Sequence, residues 1–490
     1  MKMRNLIYIS AALLATLSIS SCSDWLDYTP KDKFTADQQF ATSSGFFDAV
    51  NGAYNNMMAT SLYGYQLTAG AVDLMSSRYN TGGNSARIEY NFSHFKYTDQ
   101  SVANAIGNVW SGMYSNILNI NVILKYLDAQ KGVLTTEEAN VIKGEMLALR
   151  AFHHFDLLRL FGPVYSKTPE DPSIAFNNSA DAQIYPILPA NEVVAKLIAD
   201  LNVAEGLLSA SDPVLKEGVL ASAADANGSN SLRYRQFRMN YFATVLLKAR
   251  VYQWAGDNEN ALAEARKIIG REDIHTIFPF VDSDKLIGNT TDPDRSFSSE
   301  VLFGMYNPNL YTLHEKYYDM ANLSKATVLR PRTTYLTGIF TSIGDYRLLA
   351  QWMTTEDESE FVKFKKITVS ESNPKIHYYM QPLMRLSEAY YIADEALKDT
   401  EPVAAVECLN TVLAARAAAT LPETATADEI QTELRLEYIR EFWGEGQIFF
   451  LFKRLYPNIP KALNGEANSA VTLSAATTVW PLPASEQENR

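Results

Sequence analysis

The chain has 490 residues, of which 47% are hydrophobic and 20% charged, enough apolar content for a large core and too much for general disorder. A formal net charge of −13 speaks against a nucleic-acid partner, because such binding draws on basic groups that meet phosphates. With only two cysteines, Cys22 and Cys408, a disulfide framework and a multi-cysteine zinc site are both excluded.

Residues 1–21 read as an export signal. Lys2 and Arg4 precede an almost unbroken apolar run of 14 residues, 6–19, which falls short of the roughly 20 needed to span a bilayer. Ile19-Ser20-Ser21-Cys22 resembles the lipobox of bacterial lipoproteins, in which the cysteine is acylated and becomes the first mature residue. That resemblance implies a lipid anchor on Cys22, with several acyl chains giving firm attachment. An ordinary cleaved signal with an incidental cysteine is the alternative. Asp24 and Asp27 resemble the acidic surface-export signal of Bacteroidota lipoproteins. Residues 22–34 read as a tether, and 35–490 as one domain.

Helical periodicity begins near Thr35, with Phe40, Phe46, Phe47, Val50 and Tyr54 at three- and four-residue steps. Residues 60–100 read as irregular, with a short strand pair. Helices are expected over 103–127 and 136–161, the second stopped by Gly162-Pro163. Further helices are expected over 191–208, 233–255 and 259–269. The stretch 270–381 reads as loops mixed with short strands. The last third returns to helices over 383–398, 403–418 and 428–452, with an extended tail over 471–483. Ala249, Tyr252, Gly256, Ala261 and Ile268 lie at tetratricopeptide spacings, as do Ala393, Ala396, Ala405, Leu409 and Val412. Generic helical hairpins are the alternative. The fold class is mostly α: a helical repeat scaffold over 35–60, 103–161, 191–269 and 383–455, carrying two loop-rich blocks, 60–100 and 270–381.

No metalloprotease, nucleophile-elbow, phosphate-loop or dinucleotide motif occurs. Glu145, Arg150 and Arg159 are expected to form structural ion pairs. The adjacent His153 and His154 diverge by about 100° on a helix and cannot chelate one metal from one face. Asp282, Asp284, Asn289, Asp292 and Asp294 supply hard oxygen ligands of the kind calcium prefers, as do Asp225, Asn227 and Ser229, without the spacing of a calcium-binding loop. A solvated loop is the favoured reading of both, and no cofactor is expected.

Several segments together resemble one family. Lys143-Gly144-Glu145-Met146-Leu147-Ala148-Leu149-Arg150-Ala151-Phe152, continuing through Asp156 to Gly162, is similar to the identifying helix of SusD/RagB-type proteins. Arg385-Leu386-Ser387-Glu388-Ala389-Tyr390-Tyr391 through Leu397, and Leu409-Asn410 through Arg416, follow in the family's order. So do residues 437–454 and the closing Pro481-Leu482-Pro483-Ala484-Ser485-Glu486. One departure is that the chain stops at Arg490, sooner after the closing motif than in many relatives. The resemblance implies an outer-membrane lipoprotein on four tetratricopeptide-like helix pairs. It implies a non-catalytic binder of a nutrient polymer, usually a glycan and sometimes a peptide, partnered by a SusC-like TonB-dependent transporter.

Ligand residues carry no motif in that family and are sought here in the loops. Seven aromatic residues stand among the 41 of residues 60–100 and nine among the 50 of residues 303–352, both above the chain's 11%. Sugar C–H faces lie against rings, and hydroxyls need donors and acceptors. The candidates are therefore Asp73, Arg78, Tyr79 and Asn80 in the first block and Tyr306, Asn307, Tyr311, Tyr335 and Trp352 in the second. Peptide cargo is the alternative, with Asp73 and Arg78 gripping the termini. A surface glycoside hydrolase ranks below both, since it needs two carboxylates facing across a cleft. A pure protein-binding repeat scaffold leaves the aromatic loops unexplained.

Overall fold

Capping residues start the long helices where their side chains satisfy free amides. Thr42 accepts from the Gly45 amide to cap α1 (Ser43–Met57), and Asp99 caps α2 (Gln100–Ala129). Thr135 and Glu138 form a capping box on α3 (Thr136–Phe161). The computed structural model describes residues 35–181, 183–219, 231–288, 291–324, 326–331, 333–356, 358–367, 375–455, 458–459 and 471–488. Cys22, the tether, Asp225, Asn227, Ser229 and Asn289 lie outside the described residues.

A hairpin of β1 (Pro172–Ala175) and β2 (Ile187–Pro189) leads into α4 (Ala190–Ser211). Then come α5 (Tyr241–Ala255), α6 (Asn258–Ile269), α7 (Leu386–Leu397), α8 (Pro402–Ala415), α9 (Ala427–Glu441) and α10 (Ile448–Leu455). From α1 to α8 each helix packs on the next, and α9 closes against α7 and α8. This is the geometry of stacked helix pairs, each burying the face its neighbour exposes. Small residues permit it. A Cβ on Gly144 of α3 would lie 2.6 Å from Leu208 Cγ of α4, so the two helices approach more closely than any side chain allows. Ala249, Ala261 and Ala393 are fully buried at the other expected close approaches. No described helix is long and apolar enough to cross a membrane.

Between α6 and α7 runs β3 (Val301–Tyr306), paired antiparallel with β6 (Met380–Arg385), whose last residue is also the N-cap of α7. A second hairpin joins β4 (Trp352–Thr354) to β5 (Ser359–Phe361). Helices Leu310–Tyr317, Thr333–Ile339 and Tyr346–Gln351 stand where only loops and strands were expected. The 60–100 block holds helices Ala71–Leu74 and Ile88–Ser93 in place of a strand pair, and its one bridge joins Asn80 to Arg330.

Two expected helices are broken, each for a visible reason. The helix expected from 233 begins only at Tyr241, because Tyr234 is left-handed at φ 52° and Asn240 caps the later start. The helix expected over 428–452 splits after Glu441. Gly444 and Gly446 take φ 76° and 70°, and a Cβ on Gly446 would sit 2.1 Å from the Leu67 carbonyl oxygen. That close approach ties the 60–100 block to the segment between α9 and α10.

A buried ion network ties the second block to α9. Arg347 meets Asp345, Glu437 and Glu441 at 2.7, 2.8 and 2.9 Å. Arg385 reaches Glu441 and Glu445, and Arg416 reaches Glu300 and Glu441. Burial opposes the Glu441 charge, yet Arg385, Arg416 and Arg347 together hold its carboxyl well below the usual range.

Glu145, Arg150 and Arg159 likewise form internal pairs, with Arg235, Asp200 and Asp156. Burial lowers the imidazoles of His153 and His154 to about 4 and about 3. The His154 geometry agrees, since Nδ1 lies 3.0 Å from the Arg150 carbonyl and Nε2 accepts from the Asn177 amide at 3.0 Å, leaving no place for a second proton.

Candidate functional site

The candidates named from sequence divide sharply. Asp73, Arg78, Tyr79, Tyr335 and Trp352 do come together, but inside the protein, around Trp443. The Arg78 guanidinium lies 4.1 Å from the Trp443 ring centroid, and the Tyr79, Tyr335 and Trp352 rings lie 5.5, 6.3 and 4.7 Å from it. Asp73 accepts from Arg78, from the Tyr79 hydroxyl at 2.8 Å and from the Gly444 amide at 3.2 Å. Burial raises the Asp73 carboxyl, and Arg78 pulls it back. Asn307 is also fully buried, donating to the Gly64 carbonyl at 3.1 Å. Half-buried Asn80 folds its side chain onto the Gly82 amide of its own turn. These seven residues hold the loops to the frame. The six buried ones are corrected from ligand contacts to core.

Tyr306 and Tyr311 fare differently. Tyr306 is 47% exposed at the end of β3, and half-buried Tyr379 bridges the two, 5.0 Å from Tyr306 and 5.1 Å from Tyr311 between ring centroids. The three tyrosines form an aromatic strip at the surface. Tyr379 was missed because it lies beyond the 303–352 window.

Tyr306 also borders a cleft of about 780 Å³ between α1, the turn at residues 231–238 and β3. That volume suits a small-molecule or oligomer site. Its α1 wall presents exposed Asp48, Asn51 and Asn55 at three- and four-residue steps, with half-buried Phe47 among them. Phe46 and Phe47 are adjacent in α1 and point about 100° apart. Phe46 is fully buried, while half-buried Phe47 packs at the core's edge and lines the cleft. That adjacency was the available signal.

The opposite wall is shaped by Arg235. Its side chain goes inward, to both Asp212 oxygens at 2.9 Å and to Glu145. The turn that allows this puts Tyr234 at φ 52° and directs Tyr234, Phe237 and Arg238 to the cleft. A bulky residue in the left-handed region costs about 1–3 kcal/mol, and such strain tends to sit at functional sites. The cleft floor is Tyr54, whose hydroxyl donates to Glu145 at 3.0 Å and accepts from the Met239 amide at 2.9 Å. Burial, then the Glu145 charge, push that hydroxyl well above its ordinary value, so it stays protonated.

Rings, two amides, one carboxylate and two guanidiniums thus face one cavity. Among the described residues no group of three or more His, Cys, Asp or Glu side chains is placed to hold a metal. Three of the four described acids in the expected hard-ligand stretch have internal partners: Asp282 caps a turn, Asp292 meets Lys375 and His377, and Asp294 accepts from Ser298, while Asp284 is exposed.

Stacked helix pairs carrying a lined cleft define a helical-repeat binding protein. The chain matches the family model described as "Starch-binding associating with outer membrane" over residues 24–227 and that of the SusD family over residues 310–480. It belongs to the SusD/RagB family. It is 26% identical over 267 residues to the SusD-like protein P2 of Formosa agariphila, covering 53% of this chain and 45% of that one. It is 20% identical to that organism's SusD-like protein P25, covering 62% and 52%. These alignments span about half the length of either relative. A SusD-like carbohydrate binding protein from Bacteroides vulgatus has the same fold, with TM-score 0.68, 20% identity and coverage of 91% and 96%. So does a surface glycan-binding protein A from Bacteroides uniformis, at TM-score 0.67, 18% identity and coverage of 92% and 98%.

Proposed function

We propose that the protein is a non-catalytic surface receptor, lipid-anchored through Cys22, that captures an oligo- or polysaccharide and delivers it to a SusC-like TonB-dependent transporter. The observation that carries this reading is the cleft: Phe47, Tyr234, Phe237 and Tyr306 offer rings, and Asn51 and Asn55 offer amides, within one cavity on a rigid frame. The tyrosine strip extends the platform beyond the rim, as a polymer requires. Membership of a family described as starch-binding at the outer membrane supports the same reading.

A glycosidase pair finds no support here, because Asp48 is the one carboxylate among the described residues lining the cleft. The groups that suggested peptide termini, Asp73 and Arg78, are spent on each other in the core. Titration calorimetry of the chain against a panel of oligosaccharides tests the proposal, with Tyr306→Ala and Phe47→Ala as variants. Binding that both variants weaken supports it, and a flat response across the panel overturns it. Cys22→Ala should abolish labelling by a radioactive fatty acid, and retained labelling would refute the anchor. Co-purification with a β-barrel transporter tests the partner.

A further inference from the structure

Every arginine that the fold buries among the described residues sits at salt-bridge distance from a carboxylate, from Arg78 on Asp73 to Arg440 on Glu437. Arg238, half-buried in the cleft wall, has no such partner among the described residues. Its guanidinium lies over the Tyr54 ring, 4.7 Å from the centroid, and its Nη2 donates to Asn51 Oδ1. Neither Nε nor Nη1 has an acceptor among the described residues. The guanidinium is thus placed over a ring and bonded to one amide. Nη2 keeps a second N–H, which together with the N–H of Nε or of Nη1 on the same edge forms the planar fork that recognises a carboxylate or sulfate.

Among the described residues the nearby carboxylates are committed elsewhere or screened. Glu145, behind Tyr54, is committed to Arg235 and the Tyr54 hydroxyl. Asp212 is committed to Arg235 and to the Val214 and Tyr241 amides. Asp48 is exposed on α1, where water and salt screen it. In a chain of net charge −13, long-range fields repel an anionic polymer, so any preference for one must be made locally.

Resting on the cleft as the glycan site, we propose that the saccharide it selects is anionic, with one carboxylate or sulfate seated against Arg238. The test titrates the full chain with polygalacturonate and with chondroitin sulfate, each beside its carboxyl-reduced or desulfated counterpart, in 50 and 300 mM salt. At least one anionic polymer should bind about tenfold more tightly than its neutralised counterpart, and the gap should narrow at the higher salt. The polymer that shows the gap tells a uronate from a sulfate. Arg238→Gln should bind both members of the pair equally, and Arg238→Lys, which keeps charge without the fork, should fall between. Equal binding of charged and neutralised polymers, or no binding of either anionic polymer, overturns the inference. An anion preference that survives in folded Arg238→Gln overturns it as well. The cleft reading is separable: it fails if no saccharide of either kind binds, or if Tyr306→Ala and Phe47→Ala both leave saccharide binding unchanged.

Discussion

Replacing Asp73 by alanine separates a ligand contact from a core residue. In the structure the carboxylate is fully buried and serves Arg78, Tyr79 and the Gly444 amide. Removing it strands the Arg78 charge, which has no other carboxylate partner among the described residues and is itself fully buried. Breaking a buried pair on one side costs about 3–5 kcal/mol. The Tyr79 hydroxyl keeps its bond from Trp443 Nε1 at 2.7 Å but loses its acceptor, adding about 1–3 kcal/mol if no water replaces it. With unfolding entropy of about 2.1 cal/mol/K per residue, a chain of 490 residues loses roughly 1 °C of Tm per kcal/mol. Asp73→Ala should therefore lower Tm by about 3–8 °C in differential scanning calorimetry. Oligosaccharide affinity measured well below that Tm should stay within about twofold of the parent. An unchanged Tm with lost binding would show that Asp73 faces ligand after all, and the placement of the whole Trp443 cluster would fall with it.

Tyr306→Ala should move the other way, leaving Tm nearly unchanged while weakening saccharide binding by about 2- to 12-fold, the worth of one ring contact. Gly446→Ala should destabilise by more than about 2 kcal/mol in urea, since it combines a left-handed φ of 70° with a Cβ 2.1 Å from the Leu67 oxygen; a midpoint within error of the parent would contradict that geometry. Burial holds His153 and His154 neutral to about pH 4 and about pH 3, whereas their unfolded forms protonate near 6.5. Between those values the unfolded chain binds more protons, so this stability is full above about pH 6.5 and falls as pH drops through the window. Urea midpoints from pH 7 to 4 should show the decline, and His153→Gln should flatten it by about 1.4 kcal/mol per pH unit; a slope unaltered by the variant would refute the assignment.

Much of the frame was legible along the chain. Periodicity, the Gly162-Pro163 stop and tetratricopeptide spacings placed α2, α3, α4, α6 and α8 within a few residues of where they lie. These are local signals: a helix face repeats every three or four residues whatever it packs on. The errors lie where a distant partner overrides local preference. Arg235 turns inward to Asp212 and Glu145 and breaks the expected helix, and the Leu67 carbonyl excludes a side chain at Gly446.

The nominated site residues show the same division. Enrichment in aromatic side chains located two blocks that the frame had to accommodate, and the structure brings Tyr79 of the first together with Tyr335 and Trp352 of the second around Trp443. It could not say which side of the surface that neighbourhood lies on, because a tyrosine that meets solvent and one that packs on Trp443 have the same composition and spacing. Family and helical frame were thus readable from one dimension. The exposure of Tyr306, the placing of Phe47 and Tyr234 in one cleft, and the seat of the Arg238 guanidinium over Tyr54 depend on residues about 190 positions apart in the chain brought side by side, and tertiary packing alone decided them.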